Sequence, residues 1–138
     1  MVPAPSLRPD SARVGLRILV VEDDDRIRHQ IVDYLAAGGH AIVEAASGDH
    51  ALQLLENDGR AFDCVFSDVQ MPGHMDGLAL ARWIQRNRPE LPVLLASGNV
   101  RADDLEPELR ATVPLLTKPY LGHAIEAHMA ALIARSAA

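Results

Sequence analysis

A chain of 138 residues has room for one domain with a proper core and little room for a second. Hydrophobic residues make up 49% of it and charged residues 23%, an ordinary balance for a globular protein, and no apolar run approaches the length that spans a bilayer. The net charge of −6 argues against nucleic acid as a partner, since phosphate backbones demand clustered Lys and Arg, and the single cysteine, Cys64, excludes an internal disulfide or a CxxC site.

The first residues, 1–15, hold Pro3, Pro5 and Pro9 but no hydrophobic stretch. They read as a flexible leader rather than a secretory signal, and the protein is expected to stay in the cytoplasm. From Arg17 onward, short apolar runs alternate with amphipathic stretches. Ile18-Leu19-Val20-Val21 is the first run and predicts a strand. Ile27, Ile31, Tyr34 and Leu35 then repeat at helical spacing, and Gly38-Gly39 supplies the stop. Ala41-Ile42-Val43 predicts a second strand, and Ser47 is an N-cap for the helix of Ala51, Leu52, Leu54 and Leu55. Phe62 to Phe66 is the third run, with Cys64 as a small buried hydrophobe. Leu80, Ala81 and Ile84 form the next apolar stripe, with Trp83 packing partly at its edge and Pro89 beyond the helix end.

Pro92 to Leu95 predicts a fourth strand. The segment 99–112 carries Asp103, Asp104, Glu106 and Pro107, and proline is comfortable only in a first helical turn, so a short or frayed helix is expected there. Leu115-Leu116 is the fifth run, and Ile125, Met129, Leu132 and Ile133 make the last apolar face. Five β-α pairs with right-handed crossovers imply one parallel sheet covered by helices on both faces.

In such a sheet ligands gather beyond the carboxyl ends of the strands. Glu22, Asp23 and Asp24 follow the first run, Asp68 the third, Ser97-Gly98 the fourth and Lys118-Pro119 the fifth. Acids, a hydroxyl and a lysine are thereby brought to one sheet edge. Clustered carboxylates repel one another, and a hard divalent cation such as Mg²⁺ relieves that repulsion while leaving room for a phosphate. A carboxylate can also act as nucleophile towards phosphorus, giving an aspartyl-phosphate whose charge a lysine and a hydroxyl stabilise.

Four segments, Arg17-Ile-Leu-Val-Val-Glu-Asp-Asp24, Phe66-Ser-Asp-Val-Gln-Met-Pro72, Leu95-Ala-Ser-Gly98 and Thr117-Lys-Pro-Tyr120, resemble the landmarks of response-regulator receiver domains. The likeness covers residues 16–136, in which no output domain is included. It implies an α/β, flavodoxin-like, doubly wound five-stranded parallel sheet with five helices, in the order 2-1-3-4-5 seen in the chemotaxis member of the family. It further implies that Asp68 is the phosphoacceptor and that Ser97 and Lys118 contact the phosphoryl group. Asp23 would be a direct Mg²⁺ ligand, Glu22 a second acid acting through water, and Gln70 the donor of a backbone carbonyl ligand. The donor would be a histidine kinase or histidine phosphotransfer protein, approaching over Ile27, Arg28, Ile31 and Tyr120. Such a domain acts as a monomer or weak dimer in two-component signalling, stand-alone or in a phosphorelay. It is no enzyme beyond its own phosphorylation and slow autodephosphorylation.

The chain departs from the family pattern in two places. The loop Met71-Pro-Gly-His-Met-Asp-Gly77 is one residue longer than the commonest form, a length also found in receivers of hybrid histidine kinases. Leu115 stands where the family often has an aromatic switch residue, so phosphorylation is expected to change order mainly across 99–112. A hydrolase with an aspartyl nucleophile would usually carry a second Asp two residues on, where this chain has Gln70. A degenerate, binding-only receiver would lack Asp23, Asp68 or Lys118. The six histidines share no metal-ligand spacing and are assigned to surface or ordinary helix positions.

Overall fold

The computed structural model describes residues 15–58, 62–119 and 122–137. All of the leader except Gly15, and Tyr120 of the expected docking surface, lie outside the described residues. The order of elements is β1 (Arg17–Val21), α1 (Asp25–Ala37), β2 (Ala41–Ala45), α2 (Gly48–Asp58), β3 (Cys64–Asp68), α3 (Gly77–Asn87), β4 (Val93–Ser97), a 3₁₀ turn (Ala102–Asp104), α4 (Pro107–Thr112), β5 (Leu115–Thr117) and α5 (Gly122–Ala137). The five strands form one sheet in the order β2-β1-β3-β4-β5, every neighbouring pair parallel. No helix among the described residues is long and apolar enough to cross a membrane.

Local chemistry sets the helix ends. The Asp24 carboxylate accepts the Ile27 amide at 3.0 Å and the Asp76 carboxylate that of Ala79 at 2.9 Å, capping α1 and α3. The Ser47 hydroxyl accepts the His50 amide at 3.1 Å, the N-cap read from the sequence. At the other end of α1 the Gly38 amide donates back to the Tyr34 and Leu35 carbonyls.

Side chains alternate across the pleat, so successive residues of each central strand enter different cores. Leu19, Val21, Val65 and Leu95 meet Leu55, Leu80 and Ile84 on one face. Ile18, Val20, Phe66 and Leu94 meet Ile31, Leu35, Ile125 and Met129 on the other. β1, β3 and β4 are buried almost throughout, whereas the edge strand β2 is only partly covered. Cys64 is buried, and Trp83 packs partly against the first core.

α4 is six residues long, starts at Pro107 and has no side-chain cap, as its composition predicts. It is better anchored than its polar sequence suggests, because Leu105, Leu109 and Val113 are buried in the first core. Arg82 of α3 also pairs with Glu106, and the Gln85 side chain bonds the Thr112 hydroxyl at 2.9 Å.

One histidine assignment is corrected. His40 is buried, and its Nε2 lies 3.1 Å from Glu126 Oε1 on α5. The Gly38-Gly39 turn folds it under α5, a non-local contact that no local pattern announces.

Candidate functional site

Parallel strands all end on the same edge, so the residues after β1, β3, β4 and β5 meet there. Lys118 Nζ lies 3.0 Å from Asp68 Oδ1 and 4.0 Å from Glu22 Oε1. Glu22, Asp23 and Asp68 each offer a carboxylate oxygen within 4.8 Å of the others. Glu22 and Asp68 are buried and Asp23 is exposed, so the cluster opens to solvent on one side.

Ser97 is buried at the end of β4, where its Oγ accepts the amides of Asn99 at 3.1 Å and Val100 at 2.9 Å. Both bonds use oxygen lone pairs, which leaves the hydroxyl proton to donate elsewhere. Gln70 is exposed, and its side-chain oxygen accepts from Asn99 Nδ2 at 3.0 Å, joining the loops after β3 and β4. The Ser67 hydroxyl donates to the Asp68 carbonyl at 2.9 Å.

The loop after Asp68 is held by close backbone packing. The Gly77 amide donates to the Val69 carbonyl at 2.8 Å, and a Cβ on Gly77 would lie 2.1 Å from the Asp68 carbonyl oxygen. Gly77 is therefore required by contact with the chain that carries Asp68.

Arg28 is corrected as a docking residue. It is buried, and its guanidinium donates to the Glu22 carbonyl at 2.9 Å, to Glu44 Oε1 at 2.9 Å and to Asp25 Oδ1 at 2.7 Å. A sequence signal for this existed, since Arg28, Ile31 and Leu35 share one stripe of α1.

Burial dominates the electrostatics. The Glu22 carboxyl is pushed up to about 7, first by desolvation, against the Asp24 amide that favours its charge, with Asp68 adding repulsion. Asp68 is also raised, because burial outweighs its bond to Lys118. Three acids facing one lysine carry excess negative charge, and oxygen-only donors of this kind suit a hard divalent cation such as Mg²⁺.

The raised Glu22 carboxyl gives the fold a pH dependence. Glu22 has a folded pKa of about 7 against an ordinary 4.5, so the stability gained from its protonated form is full below about 4.5 and lost as pH rises through 7. In Mg²⁺-free buffer at about pH 8, Glu22→Gln should exceed the native chain in stability by at most about 3 kcal/mol. The advantage should vanish near pH 4 and shrink when Mg²⁺ is added. Parallel stability curves for the two proteins between these pH values would contradict it.

Residues 18–130 match the family model described as the response regulator receiver domain. The chain is 38% identical over 113 residues to the response regulator protein FleR of Pseudomonas aeruginosa, a match covering 81% of this chain and 23% of FleR. It is 41% identical over 81 residues to the sensor kinase CckA of Brucella abortus, covering 59% of this chain and 8% of CckA. It thus spans less than a quarter of the length of these two relatives. A receiver domain protein of Clostridium thermocellum shares the fold, with a TM-score of 0.80 over 88% of this chain and 97% of its own, at 23% identity.

Proposed function

The chain belongs to the response regulator receiver family of two-component signalling, and from that premise we propose that Asp68 accepts a phosphoryl group from a phosphohistidine in a Mg²⁺-dependent reaction. The observation that carries the assignment is a buried carboxylate 3.0 Å from a lysine ammonium, with two further carboxylates within 4.8 Å. An Asp68 carboxylate oxygen attacks phosphorus, the P–N bond to the donor imidazole breaks, and an acyl phosphate forms with no change of oxidation state. Lys118 and the Ser97 hydroxyl would stabilise the charge on the transferred group. Glu22, Asp23, Asp68 and the Gln70 backbone carbonyl would hold Mg²⁺, which when bound supplies countercharge to the phosphoryl oxygens.

The domain would be a switch for protein contacts rather than an enzyme, losing its phosphoryl group slowly by self-catalysed hydrolysis. A hydrolase reading has less support, since Gln70 is not an acid and its side chain is engaged with Asn99. Acidic net charge speaks against nucleic acid, a cytoplasmic setting suits ATP-charged kinases, and a monomer or weak dimer suffices for the chemistry.

The partner would be a histidine kinase or phosphotransfer protein. Between α1 and α5, beside Lys118, runs an apolar groove of about 540 Å³ lined by Ile27, Ile31, Tyr34, Pro119 and Ile125 among others. Ile31 is a core residue, so its truncation would unfold as much as it would undock. Ile27, half-buried at the rim, is the better probe.

The test uses two donors. With acetyl phosphate and Mg²⁺, peptide mapping should place an alkali- and hydroxylamine-labile phosphoryl group on the peptide containing Asp68. With a phosphorylated histidine phosphotransfer protein, Ile27→Ala should react about tenfold more slowly, a loss of roughly 1.4 kcal/mol, while keeping its rate with acetyl phosphate. Label found elsewhere would remove Asp68 from the role, and equal slowing with both donors would remove the groove.

A further inference from the structure

Glu22 and Asp23 need a fixed direction as well as a location. The Glu22 amide donates to the Ala45 carbonyl at 3.1 Å, and Glu22 Oε2 accepts the Asp24 amide at 3.1 Å. The peptide joining Glu22 to Asp23 is gripped from the helix side by Arg28 Nη1 at 2.9 Å. That same guanidinium is held in place by Glu44 on β2 through Nε and by Asp25 on α1 through Nη2. Each of its three nitrogens thus bonds a different group, using a planar fork that a lysine cannot reproduce.

The charge count separates geometry from electrostatics. One guanidinium bonds two carboxylates outside the acid cluster, so its positive charge is already offset where it sits. What it supplies to the cluster is direction, by fixing the plane of the Glu22–Asp23 peptide.

We propose that Arg28 is a positioning residue for the metal-holding acids, setting Mg²⁺ affinity through the Glu22 carbonyl without touching the ion or the phosphoryl group. The inference rests on the reading that Glu22, Asp23 and Asp68 hold Mg²⁺. Groups that orient metal ligands from behind typically change affinity by about 10- to 100-fold when replaced.

The test is Mg²⁺ titration of the full chain by calorimetry, with thermal unfolding in Mg²⁺-free buffer as the measure of folding. Arg28→Lys keeps the charge but loses the fork, and should weaken Mg²⁺ binding about tenfold or more. A near-native affinity in Arg28→Lys would overturn the proposal. Should that variant fail to fold, the partly exposed Glu44 keeps the question open to measurement. Glu44→Gln retains an acceptor for Arg28 Nε and should bind Mg²⁺ as the native chain does, whereas Glu44→Ala frees one arm of the fork and should bind it several-fold more weakly. Equal weakening in both Glu44 variants would assign the effect to charge, and no weakening in either would deny Arg28 its role. If the native chain bound no Mg²⁺, or Asp23→Asn left the affinity unchanged, the metal reading itself would fail. A strong native affinity indifferent to Arg28 and Glu44 would overturn only this proposal.

Discussion

Asp68→Asn is expected to take up no phosphoryl group from either donor and, in Mg²⁺-free buffer near neutral pH, to be more stable than the native chain. The first part follows from removing the carboxylate proposed as the nucleophile. The second follows from the energetic cost of keeping that oxygen charged. Burial raises the Asp68 carboxyl above its ordinary range, and the bond to Lys118 offsets only part of the rise. An acid with a raised folded pKa contributes stability when protonated and loses it as pH rises through that value. Asparagine is close in shape and permanently neutral, so it escapes the loss. Lys118, partly exposed and still 4.0 Å from Glu22, is not stranded by the change. A site held ready for chemistry at the expense of stability is a common outcome of selection for function. Thermal unfolding of both proteins across pH checks the sign. A variant that lost stability together with phosphorylation would show that the Asp68–Lys118 bond is chiefly structural.

Gly77→Ala should lower stability by about 3 kcal/mol and slow phosphorylation from acetyl phosphate by about 100-fold. On helix propensity alone, alanine at the start of α3 would be favourable by up to ~1 kcal/mol. Contact reverses that preference. The new methyl would lie 2.1 Å from the Asp68 carbonyl oxygen and 2.7 Å from Val69 Cα, both main-chain atoms that no rotamer change can move away. Relief requires displacing either the start of α3 or Asp68, the proposed phosphoacceptor, and a shift of about 1 Å there would be enough to disrupt in-line attack. Gly98→Ala is the control, because its nearest neighbour would be Lys118 Cβ at 3.9 Å, an ordinary contact. Denaturant unfolding and phosphorylation rates on both variants decide the matter. If Gly77→Ala behaved like Gly98→Ala, the loop after β3 would have slack that its packing does not suggest.

The sheet and most of the site were legible in sequence for one reason. Short apolar runs locate strands, and a parallel sheet places every strand's carboxyl end on one edge, so counting to the end of each run finds Asp23, Asp68, Ser97 and Lys118. What escaped depends on contacts between distant segments. Arg28 reads as one more charge among Arg26 and His29, although its place on the stripe with Ile31 and Leu35 was visible. His40 gives no local sign that Glu126, 86 residues away, awaits it. The acids around α4 drew attention from Leu105 and Leu109, which anchor that segment despite its polar composition. The steric demand at Gly77 comes from Asp68, to which no spacing rule connects it.

The two amides that converge on Ser97 Oγ make that atom a mechanical linkage. Rotating only its proton toward a phosphoryl oxygen would leave the loop at rest. Drawing the oxygen itself inward pulls on Asn99 and Val100 together, and through the Asn99 side chain on Gln70 as well. Displacement at the sheet edge would thereby be converted into motion of main chain. A readout of that kind is indifferent to ring size on β5, and Leu115 then needs only to fill its place beside Leu95.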